Sequence, residues 1–196
     1  MFQLFPRAVR PEVCDAIVKD CVSKDLKLAT VLNPDDSVGD RDDPSARKTL
    51  VYFVPPDRDN KANNIAWHFI KEANRILFNY DITHFQPTQF AKYKDGGFYD
   101  WHIDASYQDE IQSRRKLSLS FILTDPDEFE GGELQFFNGN RPLGDKNEDD
   151  EKVIKNDLKA KGTVVVFDSR DFHRVTPVTS GVRYSIVCWA VGPNFK

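Results

Sequence analysis

Ala91-Lys-Tyr-Lys-Asp-Gly-Gly-Phe-Tyr-Asp-Trp-His-Ile-Asp104 holds two β-type runs joined by a turn. The turn is Asp95-Gly96-Gly97, whose adjacent glycines allow the backbone angles that reverse a chain. The runs on either side, Thr88 to Lys94 and Tyr99 to Asp104, are predicted as strands. Residues two apart on a strand project from one face. His102 and Asp104 therefore aim at the same point, while Ile103 packs on the opposite side.

Downstream of this hairpin the two-residue period continues. It predicts strands over Leu117 to Leu123, Glu133 to Phe137, Val153 to Leu158, Thr163 to Phe167, His173 to Val178 and Arg183 to Val191. Glu130-Gly131-Gly132, Asn138-Gly139-Asn140 and Lys161-Gly162 supply turns between them. Asp145 to Lys152 is a charged run, expected to be a solvated loop.

Upstream the period changes to that of helices. Pro11 to Lys27 is predicted as a helix that opens on a proline and carries Val13, Ile17, Val18 and Cys21. Asn60 to Tyr80 is the stronger helix, with an apolar stripe of Ile65, Phe69, Ala73, Ile76 and Leu77. Between them lie a polar loop, Asn33 to Arg47, which is a candidate lid, and a short strand, Thr49 to Val54, ended by Pro55 and Pro56. Helices first and short strands after predict an α+β fold built on a sheet sandwich or jelly roll. A chain of 196 residues is expected to form one domain, with residues 1–85 as helical support and 86–196 as the β core.

Hydrophobic residues make up 40% of the chain and charged residues 30%, as in ordinary globular proteins. The net charge of -4 offers no basic excess for neutralising phosphates, which argues against a nucleic-acid binder. No basic leader precedes an apolar run at the start, and no stretch has the length of a membrane span, so a cytoplasmic protein without a membrane partner is expected. Cys14, Cys21 and Cys188 cannot all pair and are read as reduced thiols, with Cys14 and Cys21 on one helical face.

His102 and Asp104 become a candidate metal site once a third ligand joins them. His173, just after an apolar strand, is the candidate. Two imidazoles and one carboxylate hold one face of Fe(II) and leave positions open; zinc is the competing metal. His68 and His84 have no carboxylate two residues away and are read as structural or surface histidines. On the last strand Arg183, Ser185 and Val187 share a face. If that face is inward, Arg183 requires an anion, and the distal carboxylate of 2-oxoglutarate fits, with Ser185 and Tyr93 adding hydrogen bonds. Otherwise Arg183 is a surface ion pair and Tyr93 a strand aromatic.

Four stretches carry a resemblance: residues 91–104, Arg115-Lys-Leu-Ser-Leu-Ser-Phe-Ile-Leu-Thr-Asp-Pro126, Phe129-Glu-Gly-Gly-Glu-Leu134 and His173-Arg-Val-Thr-Pro-Val-Thr-Ser-Gly-Val-Arg-Tyr-Ser185. From about Gln86 to Pro193 the chain resembles the Fe(II)/2-oxoglutarate-dependent oxygenases, specifically the prolyl 4-hydroxylase-like group that includes PKHD-type hydroxylases. The resemblance implies a double-stranded β-helix with N-terminal helices packed against its major sheet. It implies His102, Asp104 and His173 as iron ligands and Arg183 as the 2-oxoglutarate anchor, with Tyr93 lining that pocket. Arg115 and Trp189 match positions at the substrate mouth, and Tyr99 the aromatic before the ligand step. One departure is Ile122, where oxygen-sensing prolyl hydroxylases carry a tyrosine against the cosubstrate; Tyr93 or Ser185 is left to supply that hydrogen bond.

The expected activity is prolyl 4-hydroxylation of a proline-containing peptide or protein, releasing succinate and CO2. Fe(II), 2-oxoglutarate and O2 are expected, with ascorbate as a candidate addition. Trp101 and the 33–47 loop join Arg115 and Trp189 as candidate grips on an extended peptide. The alternatives are the same chemistry on a free amino acid or other small molecule, a non-catalytic jelly-roll binding module, and a zinc hydrolase using Asp171 or Glu133 as base. A nucleic-acid demethylase is disfavoured, because Trp189 stands where those enzymes carry a second arginine.

Overall fold

A computed structural model describes residues 2–30, 43–57, 59–105, 113–137, 151–152 and 158–194. Two antiparallel sheets face each other. The larger runs in the order β1 (Phe2–Phe5), β12 (Val164–Asp168), β8 (Ser113–Ile122), β14 (Val178–Pro193), β6 (Gln89–Lys94), β4 (Leu50–Phe53) and β2 (Lys27–Leu28), with β5 (His84–Phe85) and β9 (Phe129–Gly131) also pairing with β14. The smaller runs β11 (Glu151–Lys152), β10 (Leu134–Phe137), β13 (His173–Val175), β7 (Phe98–His102) and β3 (Arg47–Lys48). This is the expected jelly roll with helices on the outside of its larger sheet.

Both faces of that larger sheet are buried. Val164 and Val166 of β12 join Leu117, Leu119, Phe121, Ile186 and Cys188 in a core beneath the helices. Val165 and Phe167 point the other way, into the space between the sheets, with Ala91, Leu134, Phe136 and Val175. Burial on both sides explains why β12 reads as an unbroken apolar run instead of alternating.

Helix α1 spans Pro11–Val22, shorter than predicted, and Lys27 and Leu28 continue as edge strand β2. Cys14, Ile17 and Cys21 are its buried face, and burial pushes the two thiols up to about 11 and about 12. Helix α2 spans Lys61–Ala73, capped by the Asn60 side chain accepting from the Ala62 and Asn63 amides. Its buried face is Ala62, Asn63, Ala66, Ile70 and Ala73. The predicted stripe is thus displaced: Ile65 and Phe69 only flank the core and Ile76 is exposed. Small residues face the sheet because they let the helix approach it closely. A π-helical turn, Asn74–Phe78, follows, and Asn79 in the left-handed conformation ends it (φ 52°).

The predicted limits shift elsewhere too. Phe2–Phe5, given no element by its sequence, extends the larger sheet through β12. Strand β14 is longer than predicted and β13 shorter. Most of the candidate lid (33–42 of 33–47), the Asn138-Gly139-Asn140 turn, most of the charged run and residues 153–157 of one predicted strand lie outside the described residues. His68 and His84 are exposed and away from the site described below. No helix is long and apolar enough to cross a membrane among the described residues.

Asp168, at the end of β12, ties the sheet to the chain leaving the helices. Its carboxylate accepts from Tyr80 Oη (2.6 Å), Arg170 Nη2 (2.6 Å) and Arg170 Nε (2.9 Å). Burial would raise this carboxyl, but the bonds from Arg170 and Tyr80 outweigh it and hold it below the usual range. A depressed native pKa contributes stability above the ordinary carboxylate value and loses it as pH falls through the native value. Asp168→Asn is expected to cost roughly 1–3 kcal/mol at pH 7, and the difference from wild type should shrink below about pH 4 in denaturant unfolding curves.

Candidate active site

His102 closes β7 and His173 opens β13, and the two are paired residues on adjacent strands. Asp104 lies just past the end of β7, where its amide and that of Ala105 donate to the Ser169 carbonyl (2.9 and 2.8 Å). The three side chains meet. Asp104 Oδ1 is 3.6 Å from His102 Nε2, and Oδ2 is 3.6 Å from His173 Nε2. One donor atom from each residue lies within 4.8 Å of the others.

The protonation states suit a cation. His102 Nδ1 is 2.7 Å from the Asp100 carbonyl and His173 Nδ1 is 2.9 Å from the Asp171 carbonyl. A carbonyl only accepts, so both Nδ1 atoms carry the proton and both Nε2 lone pairs face the cavity. Burial pushes His173 down to about 4, with His102 adding to the effect and Asp104 opposing it. Burial alone would raise the Asp104 carboxyl, but His173, His102 and Arg115 outweigh it and hold it well below the usual range. The result is a compact set of nitrogen and carboxylate donors that could hold Fe(II) on one face.

A bulge shapes this corner. Val175 pairs with Tyr99 and His173 with His102, so β7 has one residue more than β13 between the two pairs. In an unbroken strand Tyr99 and His102 would point to opposite faces. Here they stack, with ring centroids 3.5 Å apart. Asp100 Oδ1 accepts the Trp101 amide (2.8 Å) within the bulge. Trp101 is turned to the outer face of the smaller sheet, stacked on Phe172 at 5.4 Å and beneath Arg174 at 4.6 Å. It does not line the cavity, contrary to the expectation that it grips substrate.

A cavity of about 580 Å³ opens from the three donors. Arg183, Ser185, Tyr93, Tyr99, Arg115 and Trp189 all line it. Arg183 is only 1% exposed, yet among the described residues no carboxylate pairs with it. Its Nη1 donates to Ser185 Oγ (3.0 Å), its Nε has no partner and Tyr93 lies beneath it at 5.1 Å. Burial acts against this charge. Such a guanidinium calls for an anion that none of the described residues supplies. Ile122 is paired with Ser185 and offers no hydroxyl, which leaves Ser185 and Tyr93 as the polar neighbours of Arg183.

Elsewhere in the cavity lining, Arg115 stacks on the buried Trp189 at 3.9 Å and donates through Nε to Gln86 (2.8 Å). A register shift between Ala190 and Val191 accompanies this, turning Arg115 into the cavity where simple alternation from Leu117 would turn it away. Burial pushes the Tyr99 hydroxyl up to about 12. Asp171 and Glu133, the two candidate hydrolytic bases, do not line the cavity; Glu133 pairs with Lys159 at 3.1 Å.

Sequence reasoning missed Arg47 and Gln89, which bond across the cavity (2.7 Å), and the apolar wall of Leu134, Phe167 and Val175. Gln89 and the apolar wall gave only alternation on strands whose inner face was not yet known, and Arg47 stood at the end of the predicted 33–47 loop. It also read Gly132 solely as a turn residue. A methyl there would lie 2.8 Å from Arg183 Cδ and 2.9 Å from Val178 Cγ2, at a φ of +59° that already favours glycine.

Residues 88–191 match the family model described as the 2OG-Fe(II) oxygenase superfamily. The chain belongs to this superfamily. A PKHD-type hydroxylase of Acidovorax ebreus is 35% identical over 107 residues, covering 53% of this chain and 42% of that one. One from Gloeothece citriformis is 37% identical over 100 residues, covering 51% and 40%. The match therefore spans about two fifths of these relatives' length. Among solved structures, a Pseudomonas putida prolyl-4-hydroxylase superposes with a TM-score of 0.70 at 19% identity, covering 98% of this chain and 93% of that one. A Trichoplax adhaerens prolyl hydroxylase in complex with a hypoxia inducible factor peptide fragment gives 0.71 at 17%, covering 96% and 82%. At such identities these two establish the shared fold. Superfamily membership brings Fe(II), 2-oxoglutarate and O2 as cofactor and cosubstrates, and the donor set and the lone guanidinium fit them.

Gly132→Ala is expected to displace the Arg183 side chain and weaken 2-oxoglutarate binding about tenfold or more, with metal binding retained. Calorimetric titration of 2-oxoglutarate into Zn(II)-loaded wild-type and variant protein measures the difference.

Proposed function

We propose that this oxygenase is a hydroxylase acting on proline in a peptide or protein, with His102, Asp104 and His173 as the iron ligands. The observation that carries the proposal is the buried Arg183, unpaired among the described residues, in the same cavity as the three converging donors. When bound, Fe(II) with 2-oxoglutarate and O2 supplies the oxidising power that releases succinate and CO2 and hydroxylates an unactivated C–H bond.

The protein's part is positioning. Asp100 and Asp171 hold the two imidazoles by their Nδ1 protons, so each Nε2 is aimed before any ligand arrives. Arg183 offers paired donors to the distal carboxylate of 2-oxoglutarate, and Ser185 and Tyr93 are placed to bond the same group. Leu134, Phe167 and Val175 form an apolar wall that excludes water and strengthens that charge pair. Arg115, Trp189 and Tyr99 line the same cavity, which supports reading them as the residues that meet the substrate. They offer aromatic faces and hydrogen-bond donors, which suits a proline ring flanked by carbonyl oxygens. The same chemistry on a free amino acid is the second reading, and the PKHD-type relatives leave the substrate class open.

Oxygen-free protein mixed with Fe(II) and 2-oxoglutarate is expected to show a weak visible charge-transfer absorption. Asp104→Ala and His173→Ala should abolish it. Arg183→Ala should keep the metal but weaken 2-oxoglutarate binding by about 100-fold. A normal band in Asp104→Ala would remove that residue from the ligand set. Succinate release in the presence of capped proline peptides, set against free proline, separates the two substrate readings.

A further inference from the structure

The Arg47–Gln89 hydrogen bond joins the two sheets across the cavity, since Arg47 lies on β3 of the smaller sheet and Gln89 on β6 of the larger. Gln89 is only 3% exposed and lines the cavity. Its paired residues are Phe53 on one side and Val187 on the other, so apolar neighbours flank it. An arginine has donors only, so Gln89 Oε1 must face Arg47 Nη2. That fixes the amide's orientation. Among the described residues the Gln89 side chain makes no hydrogen bond besides the one to Arg47, so the two protons on Nε2 are left over.

This donor is not placed for 2-oxoglutarate. Tyr93 is paired with Arg183, and Gln89 is four residues away along β6 on the same face. At about 3.3 Å per residue that is roughly 13 Å away. Gln89 is paired with Val187, two residues from Trp189, and so sits on the side of Trp189 and Arg115 in the cavity lining. Arg47 in turn lies over Tyr99 at 4.4 Å, and Tyr99 stacks on His102 at 3.5 Å. A continuous set of contacts therefore links the amide to a metal-site histidine.

We propose that Gln89 is a substrate-binding residue whose Nε2 donates to a backbone carbonyl oxygen of an extended peptide, and that Arg47 is the positioning residue that orients it. A neutral donor inside a mostly apolar frame suits a peptide carbonyl, which needs one directed hydrogen bond and no counter-charge. The proposal rests on the peptide substrate proposed above, and it assigns where that peptide's main chain is held.

A panel of capped proline-containing pentapeptides, acetylated at one end and amidated at the other, tests it by titration into Zn(II)- and 2-oxoglutarate-loaded protein. The tightest peptide should shift the Gln89 side-chain amide signal in a nitrogen–proton correlation spectrum. Gln89→Met and Gln89→Glu should each weaken that peptide about tenfold, with 2-oxoglutarate affinity unchanged. The glutamate variant is decisive, because it keeps an acceptor for Arg47 while losing the donor. If Gln89→Glu binds the peptide as tightly as wild type, Gln89 is only a strut and the inference fails. It fails equally if no peptide in the panel binds. A normal charge-transfer band in the Fe(II)-loaded protein would then show that the metal and cosubstrate assignment survives.

Discussion

A buried guanidinium with no carboxylate among the described residues beside it is the constraint around which this protein is arranged. Arg183 is held on the inner face of β14, between strands that allow it no retreat to solvent. Charge left unpaired in such a place is strongly destabilising, so the site favours an anion beside Arg183. The three facing donors make the matching demand, since Asp104 is ionised and the two imidazoles aim lone pairs at one point. A ferrous ion and a dianionic keto acid meet both demands together, because the cation answers Asp104, a carboxylate answers Arg183, and the charges of the two ligands cancel each other. Neither ligand alone leaves the site neutral.

Rigidity makes this arrangement useful. The larger sheet is packed on both faces, with helices on one side and the smaller sheet on the other. Strand β14 lies between β6 and β8, so Arg183 and Ser185 stand on a backbone bonded along both edges. Side chains supported in this way need little reorganisation when ligands arrive. The apolar core and the polar cavity are two faces of the same strands, and a change in one is felt in the other.

Irregularities decide which way several important side chains point. The extra residue in β7 turns Tyr99 onto His102, and the shift in β14 near Val191 accompanies the inward turn of Arg115. Both break the alternation used to assign faces from sequence. Trp101 is a different case: alternation from His102 already sets it on the opposite face, and it sits there, outside the smaller sheet, with Phe172 and Arg174. A bulge has no dependable signature in one sequence, because what creates it is a mismatch of length with a partner strand. The second helix shows a related limit. Its longest apolar residues suggested one stripe, but close approach to the sheet selected Ala62, Ala66 and Ala73.

By itself the sequence determined the fold class and the common face of Arg183 and Ser185, which follow from period and spacing; it also named His102 and Asp104, although Asp104 lies past the end of β7 and Ile103, expected on the opposite side, lines the same cavity. The family resemblance named His173 as their partner. Only the tertiary structure decided that β13 pairs with β7, that the guanidinium is buried without a counter-ion among the described residues, and that Arg47 reaches across to Gln89. Those facts depend on which strands become neighbours. Neighbourhood is set by the burial of two whole sheet faces at once, a property that no local stretch of chain carries.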